Sequence, residues 1–157
     1  MRLSGRVAIV TGGARHIGAA YARKLAQEGA AVVIADILDG NPVADEIRAT
    51  GGKALALKID VSDAGDSRRM GLETVKAFGR MDILVINAAV FIHIQRHPFD
   101  ELTGEEWHRV PPVNIKGSFL CAKAVFPQMK EQKNGKIINI SSSSAYWGTP
   151  NFLHYVA

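Results

Sequence analysis

The chain has 157 residues, of which 47% are hydrophobic and 22% are charged, a balance typical of a globular domain. This composition excludes collagen-like, coiled-coil and disordered chains, and no uncharged apolar run reaches the roughly 18 residues of a membrane span. The net charge is +4, but the 19 lysines and arginines are scattered, which disfavours nucleic-acid binding. One cysteine and the lack of a signal-peptide pattern lead us to expect a cytoplasmic protein that binds no membrane.

Short apolar runs alternate with helical periodicity along the chain. Continuous apolarity predicts strands buried on both faces at residues 7–10, 30–35, 53–60, 83–86 and 137–140. Helices are predicted between the first four strands, at residues 17–28, 42–50 and 63–78, each followed by a glycine. Strands that alternate with helices indicate an α/β fold with a doubly wound parallel sheet, and we interpret residues 1–157 as one partial domain.

The segment after the fourth strand predicts two helices separated by a pair of prolines. Thr103 and Glu106 have the spacing of a capping box, which opens a short helix. The Pro111-Pro112 pair predicts a break near Val110, with Asn114 in the first turn of a new helix. An apolar stripe at helical spacing marks one face of that helix: Ile115, Phe119, Ala122, Phe126 and Met129. Within this helix, Cys121 is expected to be a small buried hydrophobe.

A glycine-rich turn and an aspartate together predict a dinucleotide site. Gly12, Gly13 and Gly18 lie between the first strand and the first helix, where main-chain N–H groups can face a pyrophosphate. Taken alone, these glycines are equally consistent with a tight strand–helix turn. Asp36 ends the second strand, where a carboxylate can bind an adenosine ribose hydroxyl and repels a 2′-phosphate.

Several motifs in one order resemble the classical short-chain dehydrogenase/reductase family. They are TGGARHIG at 11–18, Asp36, Asp60-Val61, DILVINAA at 82–89, VNIKG at 113–117, IINISS at 137–142 and Tyr155. The resemblance runs over essentially the whole chain and implies a Rossmann-like sheet in the order 3-2-1-4-5. It also implies an oxidoreductase that transfers a hydride between a nicotinamide cofactor and an alcohol or ketone. The chain departs from the family at His16, where the middle glycine of the turn is expected, and at Ile86, where the family has an asparagine.

The resemblance implies a cofactor site built from the turn and three strand ends. Its residues would be Thr11, Gly12, Arg15, His16, Ile17, Gly18, Asp36, Asp60, Val61, Asn87 and Ala88. Arg15 resembles the basic residue of NADP-preferring members, whereas Asp36 favours NAD. Because a carboxylate facing a dianionic phosphate is the harder constraint, we expect NAD, with NADP as the alternative.

The catalytic residues implied by the resemblance are Ser142, Tyr155 and Asn114. Tyr155 would exchange a proton with the substrate oxygen, Ser142 would donate a hydrogen bond to it, and Asn114 would hold a water in a proton relay. A tyrosine with an ordinary pKa of about 10 needs a nearby ammonium to act near neutral pH. The family's lysine would fall at position 159, beyond Ala157. We therefore expect the physical protein to be longer and the 157-residue chain alone to be inactive.

Three functions are left open by the sequence. The first is the NAD-dependent alcohol dehydrogenase or ketone reductase just described. The second is a catalytically silent NAD-binding module, which the substitution at His16 and the Pro111-Pro112 pair suggest. The third is an enzyme like the NADP-dependent 3-oxoacyl reductases, which Arg15 favours and Asp36 opposes.

The remaining expectations concern ligands and partners. No metal site is predicted, since the histidines lack ligand spacing: His93, His97, His108 and His154. Tyr146, Trp147 and Phe152 are candidates to line an apolar pocket for a small-molecule alcohol or ketone whose identity the sequence does not give. The resemblance implies a homo-oligomer, a dimer or tetramer, for the full-length protein. The fifth strand is expected to leave an apolar edge in this chain.

Overall fold

The architecture is a five-stranded parallel sheet in a computed structural model that describes residues 1–92 and 94–157. The strands are β1 (Val7–Thr11), β2 (Ala31–Asp36), β3 (Ala54–Lys58), β4 (Ile83–Ile86) and β5 (Lys136–Asn139). Their order is β3-β2-β1-β4-β5, with β1 in the centre, which confirms the predicted doubly wound topology. Parallel register places Thr11 beside Ala35 and Ile86 beside Asn139, so the carboxyl ends of the strands share one edge of the sheet.

Helices cover both faces of the sheet. They are α1 (His16–Gln27), α2 (Asn41–Ala49), α3 (Ala64–Phe78), α4 (Gly104–Arg109), α5 (Ser118–Glu131), α6 (Ser144–Trp147) and α7 (Leu153–Val156), with a π-helical segment (Pro112–Gly117) before α5. The side chains of a strand point alternately to opposite faces, so neighbouring residues of β1 enter different cores. Ile9 packs into the core under α3 and α5, whereas Ala8 and Val10 pack into the core under α1 and α2. This two-sided burial explains the continuous apolar run of β1.

The proline pair interrupts the helical region as predicted. The capping box is present, with the Thr103 hydroxyl accepting from the Glu106 N–H at 3.2 Å, and α4 ends at Arg109. Neither proline has an N–H to donate, and the first donors after them, Val113 and Asn114, both bond to the Val110 carbonyl. Asn114 lies in the π-helical segment Pro112–Gly117, whereas the sequence predicted the first turn of a new helix.

The apolar stripe predicted along the last long helix is mostly on the solvent side. Phe119 is 61% exposed and Phe126 is 57% exposed. The residues of α5 that are buried are Cys121, Val125 and Met129. They pack with Met70 of α3 against the sheet, because the close approach of α3 selects this narrower face for burial.

Cys121 is fully buried between α3 and α5, as the sequence predicted. Its Sγ lies 4.0 Å from the Ser67 hydroxyl, and burial raises the pKa of the thiol to about 11. The group is therefore a neutral apolar side chain at physiological pH.

The β5 strand forms one edge of the sheet and is more exposed than the others. Ile137 and Ile138 point to opposite faces of the sheet, and both are partly exposed. Apolar surface is thus accessible on both sides of β5, in agreement with the predicted apolar edge. None of the helices in residues 1–92 and 94–157 has the length and apolarity needed to cross a bilayer.

A buried carboxylate joins the starts of β1 and β4. Asp82 is 3% exposed and accepts hydrogen bonds from Arg80, from Arg6 and from the Val7 N–H, at 2.7–2.9 Å. Burial by itself raises the pKa of Asp82, but the hydrogen bonds from the two guanidiniums and the Val7 N–H outweigh it and hold the pKa at about 2. Two cations on one carboxylate thus fix the amino edge of the sheet.

We expect Asp82 to make folding pH-dependent between pH 4 and 2. Because its pKa is lower in the folded state, the ionised carboxylate stabilises the fold by about 2 kcal/mol above pH 4, and this is lost as the pH falls towards 2. Asp82→Asn should lower the free energy of unfolding in urea at pH 7 and flatten its slope below pH 4. Asp45→Asn, which removes an exposed partner of Arg48, is the control. Equal acid slopes for Asp82→Asn and the wild type would contradict this role.

Candidate functional site

Hydrogen bonds join the carboxyl ends of β1 and β4. We call these bonds, made between Thr11-Gly12 and Asn87-Ala88, the clasp. The Thr11 hydroxyl accepts from the Asn87 N–H at 3.0 Å and the Ala88 N–H at 3.1 Å. In return, the Asn87 amide donates to the carbonyls of Thr11 and Gly12, both at 3.1 Å. The clasp fixes the start of the turn that follows β1 relative to the end of β4.

Two glycines of the turn are required by close approach. Gly12 has a φ of +65°, and a β-carbon there would lie 2.9 Å from Ala88 Cα. A β-carbon on Gly18 would collide with the Gly12 carbonyl oxygen and would lie 2.7 Å from the Asn87 amide nitrogen. Any larger residue at either position would push the turn away from β4.

The first turn of α1 has main-chain donors without acceptors. The first intrahelical bond runs from the Ala19 N–H to the Arg15 carbonyl, and Arg15 provides no side-chain cap. In the described part of the chain, the N–H groups of residues 16–18 have no hydrogen-bond partner, and no acidic residue lies in this turn. Open donors at the positive end of a helix dipole fit the pyrophosphate of a dinucleotide.

His16, the first residue of α1, has the backbone conformation of a glycine. Its φ is +49°, in the left-handed region where a β-carbon is unfavourable, and its side chain is exposed. The family has a glycine at this position. The His16 backbone adopts the left-handed conformation that a glycine would adopt without strain. Histidine is one of the residues found more often than most in this region.

Asp36 is the last residue of β2, and its side chain also binds the glycine-rich turn after β1. The side chain is 8% exposed, with Oδ2 accepting from the Ala14 N–H and Oδ1 from the Leu38 N–H, both at 3.0 Å. Each carboxylate oxygen keeps a lone pair, so a ribose hydroxyl can still be bound. The bond that the Leu38 N–H donates to Asp36 is a common local pattern of aspartates. The bond that the Ala14 N–H donates was missed from the sequence, because Ala14 is distant along the chain.

Two more predicted cofactor residues follow β3. The Asp60 carboxylate accepts from the Ser62 N–H at 2.9 Å and the Ser62 hydroxyl at 2.7 Å, and Asp60 is exposed. Val61 is buried, and a β-carbon on Gly117 would lie 2.9 Å from its Cγ2. Val61 therefore packs against the end of the π-helical segment, at the same edge of the sheet as the turn.

Asn114 ties the π-helical segment to the chain that leaves β4. Its Oδ1 accepts from the Val90 N–H at 2.8 Å, and its Nδ2 donates to the Val90 carbonyl at 3.3 Å. The side chain thus closes a two-bond pair with the main chain, four residues after Ile86. It holds the wall of the site in place.

Ser142 and Tyr155 both lie beside the aromatic rings of Phe91 and Phe152. Ser142 lines a cavity of about 190 Å³ together with Phe91, Trp147 and Phe152, and its Oγ lies 2.7 Å from the Ser144 hydroxyl. The Tyr155 ring centroid lies 4.9 Å from that of Phe152 and 5.1 Å from that of Phe91. The rings that line the cavity therefore also contact the predicted proton donor.

The pocket prediction holds for two of its three aromatic residues. Trp147 and Phe152 line the cavity, whereas Tyr146 is 87% exposed and lies outside the cavity lining. Phe91 and Arg96 also line it and were missed, because the segment after β4 has neither periodicity nor a motif. His93, in that segment, lies outside the described residues.

His97 and His154 belong to the same region but are held by structure around α4. His97 Nε2 lies 3.0 Å from Glu106 Oε1, without the angle of a hydrogen bond, and the His97 N–H donates to the Asn151 carbonyl at 3.0 Å. His154 is buried, with its ring edge-on to Phe152 at 5.6 Å. These contacts fasten the segment that carries Arg96 to the segment that carries Phe152.

The fold defines a doubly wound, Rossmann-like α/β protein, and comparisons with known proteins identify its family. A family model described as short chain dehydrogenase matches residues 6–157, and the chain belongs to this family. It is 40% identical over 160 residues to the 2,5-dichloro-2,5-cyclohexadiene-1,4-diol dehydrogenase of Sphingobium indicum, covering 99% of this chain and 62% of the relative.

Two further relatives extend the comparison. The cis-4-hydroxycyclohexanecarboxylate dehydrogenase of Sinomonas cyclohexanicum is 39% identical over 153 residues, covering 97% of this chain and 61% of the relative. The peroxisomal multifunctional enzyme type 2 of Drosophila melanogaster is 38% identical over 168 residues, covering 100% of this chain and 27% of the relative. The chain thus spans about three-fifths of the length of the first curated relatives it matches.

We expect His16→Gly to stabilise the protein. Relief of the left-handed strain, about 1–2 kcal/mol, exceeds the entropy that glycine adds to the unfolded chain, so the free energy of unfolding should rise by roughly 0.5 kcal/mol. Ala20→Gly, at an exposed position inside α1, should instead lower it by about 1 kcal/mol. Urea denaturation measures both changes. A loss of stability in His16→Gly equal to that in Ala20→Gly would show that His16 carries no strain.

Proposed function

We propose that the full protein is an NAD-dependent oxidoreductase that interconverts an alcohol and a ketone, with Tyr155 as the general acid and base. The observation that carries this proposal is that Tyr155 packs on Phe91 and Phe152, two rings that also line the cavity beside Ser142. A glycine turn with open main-chain donors lies at the same edge of the sheet. Both features support a site in which a cofactor and a proton donor act on one substrate.

The chain's own residues supply proton transfer and charge stabilisation. When bound, a nicotinamide dinucleotide supplies or accepts the hydride. During ketone reduction, the carbonyl carbon takes the hydride while the carbonyl oxygen takes the proton of the Tyr155 hydroxyl, and the resulting phenolate is reprotonated from solvent. The Ser142 hydroxyl donates a hydrogen bond to the same oxygen as negative charge develops on it. Asn114, through its bonds to Val90, holds the π-helical wall beside the site.

The proposed cofactor contacts follow from the geometry of the turn. The open N–H groups at the start of α1 bind the pyrophosphate, and Arg15 and His16 border it from the solvent side. Asp36 binds the adenosine ribose, Asp60 and Val61 border the adenine, and Asn87 and Ala88 lie beside the ring that carries the hydride.

The names of two relatives suggest the class of alcohol, because each names a substrate with a hydroxyl group on a six-membered carbon ring. One is a cyclohexadienediol dehydrogenase and the other a hydroxycyclohexanecarboxylate dehydrogenase. A cavity of about 190 Å³ with aromatic walls suits a six-membered ring. We therefore propose a small cyclic secondary alcohol or its ketone as the substrate.

A cytoplasmic homo-oligomer, dimer or tetramer, is proposed for the full protein. Leu72 on α3 and Phe119 and Phe126 on α5 leave an apolar face exposed in this chain. Such a face favours contact with a second copy, and sedimentation equilibrium on the full protein would distinguish this from a monomer.

The catalytically silent NAD-binding module is the second candidate function, and the left-handed His16 favours it. A β-carbon in a position shaped for glycine borders the proposed pyrophosphate site, where it can shift a bound cofactor away from the position needed for hydride transfer. Calorimetry that finds NAD binding, together with no turnover of any ketone by the full protein, would establish this second function.

Tyr155→Phe should abolish turnover without preventing cofactor binding. Removal of the hydroxyl leaves the ring packing on Phe91 and Phe152 but deletes the proton, so kcat/KM should fall by at least about a hundredfold. NADH oxidation with a panel of cyclic ketones measures this in the protein expressed from its complete coding sequence. Tyr21→Phe, on α1 and away from the cavity, is the matched control. Unchanged turnover in Tyr155→Phe would exclude Tyr155 as the acid.

Asp36→Ala should shift the cofactor preference towards NADP. The change removes the carboxylate that repels a 2′-phosphate, so the ratio of NADPH to NADH affinity should rise by about tenfold or more. Asp39→Ala removes the same charge from the loop after β2, where Asp39 accepts from the N–H and the side-chain amide of Asn41, and should leave the ratio unchanged. A wild-type protein that prefers NADPH would favour the alternative resembling the NADP-dependent 3-oxoacyl reductases.

A further inference from the structure

The cavity beside Ser142 is apolar on most of its wall and cationic at one point. Phe91, Trp147 and Phe152 provide aromatic surface, and the Ser142–Ser144 run provides hydroxyl groups. Arg96 is the charged residue of the lining. An aromatic pocket that contains hydroxyls and a single guanidinium is suited to a ligand with an apolar body and one anionic group.

Arg96 is exposed, and its guanidinium packs on Phe152 without an ion-pair partner in the described part of the chain. Its Cζ lies 5.1 Å from the centroid of the Phe152 ring, which holds the side chain against the cavity wall. Among residues 1–92 and 94–157, no carboxylate lies within salt-bridge distance of Arg96, and its side chain donates no hydrogen bond. Its neighbour His97 is anchored by the N–H bond to the Asn151 carbonyl, just before Phe152.

The contacts that Arg96 and Tyr155 both make with Phe152 set an upper limit on the distance between them. The Phe152 centroid lies 5.1 Å from Arg96 Cζ and 4.9 Å from the Tyr155 centroid, so the guanidinium and the Tyr155 ring are separated by no more than the sum of these distances. A molecule in the cavity would have to pass the edge of the Phe152 ring to contact both groups. Its reacting oxygen would lie at Tyr155 and Ser142, and its anionic group would lie at Arg96.

We propose that Arg96 selects substrates that carry a carboxylate, so that the enzyme acts on a cyclic hydroxy acid or oxo acid rather than on a neutral alcohol. This inference rests on the proposed function of the Ser142–Tyr155 site. The planar guanidinium binds both carboxylate oxygens through paired N–H donors, while the aromatic walls cover the ring of the substrate. Binding of the carboxylate fixes which carbon of the ring is presented to Tyr155.

Matched ketones that differ only in charge test the proposal. The probes are 3- and 4-oxocyclohexanecarboxylate, their two carboxamides, and cyclohexanone, with NADH oxidation measured in the protein expressed from its complete coding sequence. The wild type should reduce at least one carboxylate with a KM about tenfold below that of its carboxamide. Raising the salt concentration should increase the KM for the carboxylate only.

Substitution of Arg96 should remove this discrimination selectively. Arg96→Gln should raise the KM for the carboxylate about tenfold and change the KM for the carboxamide less than twofold. Arg96→Lys should restore part of the preference, because the charge remains but the paired donors are lost. Arg68→Gln, on the exposed side of α3, makes the same change in net charge and should alter neither KM.

A binding measurement separates charge recognition from the chemical step. Calorimetry of 4-oxocyclohexanecarboxylate with the complex of oxidised NAD should show the same tenfold weakening in Arg96→Gln, since no hydride is available. A wild type that reduces carboxylate and carboxamide equally well, or an Arg96→Gln variant with unchanged KM and affinity for the carboxylate, overturns the role of Arg96 and leaves the proposed function intact. No reduction of any ketone by the full protein overturns the proposed function and, with it, this inference.

Discussion

The hydrogen bonds between Thr11 and Asn87 are the constraint on which the site depends. They join the carboxyl end of β1, where the glycine-rich turn begins, to the carboxyl end of β4. Because Gly12 and Gly18 approach Asn87 and Ala88 so closely, the turn has no room to shift once the clasp is made. The open donors at the start of α1 are consequently fixed in space by bonds made on another strand, as electrostatic preorganisation requires.

The sheet could be predicted almost entirely from the sequence, whereas the faces of the later helices could not. A strand buried on both sides must be continuously apolar, so β1 and β2 are recognisable without knowledge of their neighbours. The burial of α5 depends on the approach of α3, a tertiary contact that has no trace in local periodicity. Similarly, two prolines predict that a helix ends, but not that the segment after it, Pro112–Gly117, is π-helical.

Some residues of the candidate site could likewise be predicted from the sequence, and others could not. Gly12, Gly18 and Asp36 could be predicted as cofactor residues because that role requires particular residue types at fixed places relative to a strand end. The second role of Asp36, bonding to Ala14, depends on the path of the turn and became visible only in three dimensions. Arg96 and Phe91 lie in an irregular segment and reach the cavity through contacts with Phe152, so no spacing along the chain could have indicated them.

The burial of Cys121 provides a natural reporter of internal motion. It is the one cysteine of the chain, and its thiol lies at the contact of α3 and α5, where burial raises its pKa to about 11. A thiol reagent can reach it only when these helices separate, since the closed state offers neither access nor thiolate. The rate of labelling at neutral pH therefore measures the local opening free energy of that helix pair, without any engineered probe.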